Sequence, residues 1–182
     1  MSTKKTRTAG PVGTLEDFVR SDIRDGKAGT LLNLTIKVVN SNATDAEVAD
    51  ADVEIWHVDA DGNYSRYGNQ VVQTFLRGVQ KTNAHGEVTF TTIYPGWYQG
   101  RATHIHAEVA VAGRSAKVMQ FAFPETTSDA VYAQGAYATR GANPTSNARD
   151  DIFSDSRASE LLTPSGAPVT GYSATVQIGI AV

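Results

Sequence analysis

The sequence predicts an all-β protein, an antiparallel β-sandwich with long irregular loops. Three observations carry that expectation. Stretches near both ends alternate apolar and polar residues with a period of two. Several short β-rich runs follow one another between Gly, Asp and Asn turn signals, and no segment has convincing helical periodicity.

Taken in order, residues 1–13 form a flexible N-terminal arm, broken by Gly10-Pro11. A short turn of helix is expected between Thr14 and Ile23, interrupted by Gly26 and Gly29. Leu31 to Val39 sets Leu32, Leu34, Ile36 and Val38 against Asn33, Thr35 and Lys37, the pattern of a half-buried strand. Ser41 to Ala46 is a loop, and Ala51 to Val58 is a second strand ended by the turn signal Asp61-Gly62. Thr74–Lys81 and Glu87–Ile93 flank Asn83-Ala-His-Gly86 and read as a hairpin. Thr103–Val111 and Ala116–Phe123 form another pair around Gly113. Residues 124 to about 165 carry Pro124, Gly141, Pro144 and Pro164 and read as irregular, a long loop wrapping the sandwich. Tyr172 to Val182 is a last alternating strand. Residues 14–182 are thus expected to form one sandwich of prealbumin or immunoglobulin type.

Composition excludes several functions. The net charge of −3 and pI of about 5.8 come with no basic stripe, so no nucleic-acid partner is expected. No apolar run approaches the ~20 residues that span a bilayer, so no membrane partner is expected either. The polar start, Met1-Ser-Thr-Lys-Lys, gives no secretory signal within this chain, and a mature secreted form would read the same as a cytoplasmic one. With no cysteine, the chain has neither disulfides nor thiolate metal sites.

The chemistry centres on Tyr94-Pro-Gly-Trp-Tyr-Gln-Gly-Arg-Ala-Thr-His-Ile-His106. On a strand, His104 and His106 project from one face while Ile105 faces the core. Two neighbouring imidazoles can share a zinc, copper, iron or nickel ion. An isolated His-x-His pair is more often two ordinary histidines, and its company is what raises the signal. Tyr64 and Tyr98 each follow a glycine-bearing turn, where a side chain can be aimed at a cleft.

The segments VEIWHVDADGNYS, FLRGVQKTNAHGEVTFTTIYPGWYQGRATHIH and VMQFAF resemble the intradiol ring-cleavage dioxygenases. VRSDIRDGKAG and DDIFSD…GYSATVQIGI resemble the small, often secreted branch of that family, which lacks a helical dimerisation domain. The resemblance covers residues 10 to 182 or so. It implies that Tyr64, Tyr98, His104 and His106 are the ligands of a non-haem ferric ion, Fe(3+). Tyr98 and His106 match the family's axial ligands, and Tyr64 and His104 the equatorial ones. Arg101 matches an arginine beside the substrate, and Gln120 a glutamine near the reacting carbons. The implied activity is cleavage of catechol or substituted catechols between the two hydroxylated carbons to cis,cis-muconates. The implied partners are a small aromatic diol and dioxygen, and the implied state is a monomer or weak homodimer. The donor set has its own logic, since hard phenolate oxygens favour ferric iron and offset its charge, which lowers the cost of burying it.

Other candidates read as structural. His57 is expected to be a packed strand residue and His85 a solvated turn residue. Trp97 divides evenly between lining a substrate mouth and packing. Asp59 and Asp61 read as turn formers, since the later glutamate of a calcium loop is missing. Asp150-Asp151 reads as a solvated loop end, and Tyr67, Tyr132, Tyr137 and Tyr172 as rim tyrosines with wet hydroxyls. Val12, Gln99 and Thr103 depart from the family pattern, as does Val58, which stands where secreted relatives often carry a cysteine. A non-catalytic prealbumin- or immunoglobulin-like binding module is the alternative, and a zinc or copper protein using His57 is a third reading.

Overall fold

The computed structural model describes residues 18–153 and 160–182. The arm expected over residues 1–13 lies outside them. The described residues form two sheets around one apolar core. The first sheet holds β1 (Leu31–Asn40), β2 (Ala46–Glu47), β5 (Glu87–Ile93), β8 (Ser165–Ala167) and β9 (Gly171–Ile180). The second has the order β4 (Arg77–Lys81), β3 (Asp52–Trp56), β6 (His104–Val111), β7 (Arg114–Ala122). The period-two reading of β1 holds residue by residue: Leu32, Leu34, Ile36 and Val38 are all 0% exposed. Val53, Ile55, Ile105, Ala107 and Phe121 meet them from the second sheet. No helix among the described residues is long and apolar enough to cross a membrane.

Four local expectations are corrected. The runs flanking Asn83–Gly86 are not a hairpin. β4 pairs with β3 and β5 with β1, so the turn carries the chain from one sheet to the other. The turn itself is as tight as expected, with the Asn83 side-chain oxygen accepting the His85 and Glu87 amides at 2.8 and 3.0 Å. Tight turn chemistry fixes a reversal of direction but does not choose the partner of each strand.

β1 and β9 run parallel, while the other strand pairs are antiparallel. Parallel neighbours need a long connection, and most of the chain lies between these two. Of the turn of helix expected over Thr14–Ile23, residues 14–17 lie outside the described residues, Phe18 is helical, and residues 19–23 run extended. Val19 and Asp22 bridge to Val79 and Thr91, strapping one strand of each sheet. Finally, the segment after Phe123 contains α1 (Glu125–Tyr132), whose buried residues are Ser128, Val131 and Tyr132. Two turns of helix are too short for their periodicity to stand out in sequence.

Candidate active site

β6 puts His104 and His106 on the sheet face turned away from the core, with Ile105 between them fully buried on the other side. His106 lies opposite Trp56 on β3 and opposite Gln120 on β7. The Trp56 indole stacks flat on its imidazole, with centroids 4.9 Å apart and planes within 2°. Trp56, His106 and Gln120 thus form a row across three strands, and the row fixes the His106 ring plane.

Tyr64 and Tyr98 come from two loops that overhang this end of the sheet. The loops touch through glycines. A Cβ at Gly96 would overlap the Asp59 carbonyl oxygen and sit 2.8 Å from the Ala60 carbonyl oxygen. Gly62, at φ +83°, faces the Trp97 carbonyl oxygen with equally little room. Asp59 shapes the first loop as a turn former: its carboxylate accepts the Asp61 and Asn63 amides at 3.1 and 2.9 Å and the Lys27 ammonium at 2.8 Å.

The four polar tips meet. Tyr64 Oη lies 3.0 Å from His106 Nε2, 3.3 Å from His104 Nε2 and 3.5 Å from Tyr98 Oη. Tyr98 Oη is 3.3 Å from His104 Nε2, and the two imidazole nitrogens are 3.1 Å apart. A point central to donors so spaced lies roughly 2 Å from each, the length of metal–nitrogen and metal–oxygen bonds. The tautomer of His104 suits such a role. Its Nδ1 is 2.7 Å from the Ala102 carbonyl oxygen, which only accepts, so Nδ1 carries the proton and Nε2 turns a lone pair to the centre.

Burial, reinforced by the Arg101 charge, lowers the His104 pKa to about 4. Burial, then His104 and Arg101, lowers that of His106 to about 2. Both rings are therefore neutral ligands-in-waiting at physiological pH. Burial pushes the Tyr64 phenol well above its ordinary value, and the nearby Tyr98 adds to this. A multivalent cation at the centre is what would reverse that shift and give a phenolate. The donor set, the spacing and the tautomer all fit a hard, highly charged metal ion.

Arg101 and Gln120 lie beside this cluster and bond to each other, Arg101 Nη2 donating to Gln120 Oε1 at 2.7 Å. Asp150, expected as a solvated loop end, is instead 0% exposed and accepts Arg101 Nε at 2.7 Å. Four donors replace the water it gives up: Arg101 Nε and the amides of Ala102, Ile152 and Phe153. Sequence reasoning missed it because two of its partners, Arg101 and Ala102, lie close to fifty positions upstream. The one local signal is the Ile152-Phe153 pair behind it, which pulls the turn under the surface.

The rim-tyrosine expectation also fails at two positions. Tyr132 and Tyr137 are 1% and 2% exposed. The Tyr132 hydroxyl donates to the Pro95 carbonyl at 3.0 Å and bonds the Thr103 hydroxyl at 2.7 Å. The Tyr137 hydroxyl donates to the Tyr94 carbonyl at 2.6 Å. Backbone oxygens satisfy these phenols inside the fold, so water is not needed. The threonine at 103 thus has a partner here. Trp97 donates from its indole to the Gly141 carbonyl at 2.9 Å and carries the Arg140 guanidinium over its ring. The segment from α1 to Phe153 therefore braces the stretch that holds Tyr98, Arg101 and His104.

His57 behaves as a structural residue. Its ring nitrogens bond the Val58 carbonyl at 2.8 Å and the Thr92 hydroxyl at 2.7 Å, away from the cluster. Among the described residues no group of three or more His, Asp or Glu side chains could hold a metal, so the zinc or copper reading with His57 finds no support. His85 is exposed, as expected.

A β-sandwich with this cluster at one sheet end has the build of an oxygenase, and comparison with known proteins gives the family. The dioxygenase family model matches residues 11–127, and the chain belongs to the intradiol ring-cleavage dioxygenases. A solved intradiol ring-cleavage dioxygenase from Tetranychus urticae is 29% identical and superposes with a TM-score of 0.84 over 94% of this chain and 91% of that one. The dioxygenase domain of a dioxygenase–carbohydrate-binding fusion from Streptomyces sp. SirexAA-E is 23% identical, with a TM-score of 0.68 over 100% and 96% of the two chains. Catechol 1,2-dioxygenase from Pseudomonas arvilla C-1 is 19% identical, with a TM-score of 0.64 over 88% of this chain and 55% of that one. The last two likenesses are of fold.

Proposed function

We propose that the protein is an iron(III) intradiol dioxygenase. It would cleave catechol or substituted catechols between the two hydroxylated carbons, giving cis,cis-muconates with both atoms of dioxygen incorporated. The observation that carries this reading is the convergence of Tyr64, Tyr98, His104 and His106 on one point. When bound there, iron(III) would hold the two substrate oxygens and draw electron density from the ring, opening it to attack by dioxygen.

The side chains would divide the remaining work. Tyr64 and Tyr98, as phenolates, offset two of the three positive charges and so lower the cost of burying the ion. His104 and His106 bind as neutral imidazoles. The Ala102 carbonyl and the Trp56 stack hold their rings in place. Tyr98 Oη would take the proton from one of the two catechol hydroxyls. Arg101 sets a positive charge beside the ring, where negative charge grows during the reaction. Gln120 offers its amide from the strand next to His106.

Metal analysis and a visible spectrum of the purified protein test the reading. Iron with a phenolate charge-transfer band is expected. The band should shift on anaerobic addition of catechol, and oxygen uptake with muconate formation should follow on aeration. A metal-loaded but colourless protein, or one that takes up no oxygen with any catechol, refutes it and leaves a binding module.

A further inference from the structure

We propose that Asp150 is the positioning residue of this site: it fixes the guanidinium plane of Arg101 and, through Arg101, the direction of the Gln120 amide. The inference rests on the dioxygenase reading for what Arg101 and Gln120 do to substrate, while the relay itself is a matter of hydrogen bonds.

Asp150 sits in a loop yet is fully buried, and both its oxygens are filled. Oδ2 accepts Arg101 Nε and the Ala102 amide, each at 2.7 Å. Oδ1 accepts the Ile152 amide at 2.7 Å and the Phe153 amide at 3.3 Å. A buried carboxylate is costly unless it is paired and fully bonded, and here one of four donors is a guanidinium in a charge-assisted bond.

The consequences reach the site along two lines. Arginine has only donors, so Gln120 must turn its carbonyl oxygen to Arg101 Nη2, 2.7 Å away, and present its NH2 group elsewhere. Gln120 stands opposite His106 in the sheet, so Asp150 settles whether a donor or an acceptor is offered on that row. The second line runs through Ala102. Its N–H is held by Asp150 and its C=O by His104 Nδ1, so a single residue lies between the carboxylate and the His104 ring. Phe153, which follows in the same turn, packs its ring 6.2 Å from that imidazole.

The test is Asp150→Asn, alone and in an Arg101→Met background. With iron loaded, Asp150→Asn is expected to keep wild-type iron content and resting spectrum while kcat on catechol falls about 10- to 100-fold, the usual cost of losing such a support. In the Arg101→Met background the same change should cost less than about threefold, since the two residues act as one unit. Multiplicative losses, or a single variant within about threefold of wild type, overturn the proposal.

A second readout needs no turnover. In the metal-free full-length protein, the Arg101 Nε–H should be an exchange-protected NMR signal that Asp150→Ala, which removes the acceptor, abolishes. An unchanged signal overturns the relay. If the wild type cleaves no catechol, the functional reading falls while this measurement still decides the relay. Should Asp150→Asn not fold, Asp150→Glu, which keeps the charge and moves it by one methylene, is read by the same two criteria.

Discussion

Tyr64 cannot ionise unaided in its surroundings, because burial holds its phenol protonated. Each proposed ligand therefore has its own signature. Replacing Tyr98 by phenylalanine removes one phenolate but leaves Tyr64, His104 and His106 in place. We expect iron to be retained, the visible band to change, and kcat to fall by at least about 100-fold as the proton acceptor at Oη is lost. An unchanged spectrum and turnover would remove Tyr98 from the ligand set. His104→Ala deletes the lone pair that the Ala102 carbonyl aims at the centre. Iron content should drop below roughly a tenth of wild type; an iron-replete variant contradicts the assignment.

At the scale of elements, the question is how two loops and one strand reach a common point. The loops that carry Tyr64 and Tyr98 are in backbone contact because residues 62 and 96 lack side chains. Gly96→Ala would drive a methyl against the Asp59 and Ala60 carbonyls. We expect a loss of about 1–3 kcal/mol in urea unfolding, together with lower iron content as the two phenols part. Tyr132→Phe tests the brace from the other side. It removes a hydroxyl that bonds Thr103 and the Pro95 carbonyl, at a cost of about 1–3 kcal/mol. The sequence made some of this legible. β1 and β9 could be read directly because apolar and polar residues alternate along most of each strand, which leaves one solution. His104 and His106 could be read as a pair because strand geometry sends them to one face. What escaped was non-local. The partner of β5, the parallel pairing of β1 with β9, the Tyr132 bond to Thr103 and the Asp150 ion pair each join residues far apart in the chain. Local patterns carry no record of such distances. Asp150 looks like any solvated aspartate until the chain folds it under Arg101.

A buried polar contact also ties the two sheets to each other. His57, just after β3, reaches Thr92 on β5. Its Nδ1 faces the Val58 carbonyl and so carries the proton, which leaves Nε2 to accept from the Thr92 hydroxyl. Charging the ring would place a donor against Thr92 inside the core, and burial accordingly lowers the His57 pKa from 6.5 to about 4. The sign follows from linkage. Between those two values the unfolded chain binds a proton that the folded one refuses, so the stability due to His57 is complete above pH 6.5 and is lost as pH falls toward 4. A shift of this size corresponds to about 3 kcal/mol. His57→Gln can keep a polar link to Thr92 but does not titrate. Unfolding free energies of wild type and variant, measured across that range, should differ by an amount that grows as pH rises and is flat beyond it. His104 and His106 titrate in both proteins and largely cancel, since His57 is the smallest of the influences on each. A constant difference would mean that the contact between His57 and Thr92 tolerates a charged ring.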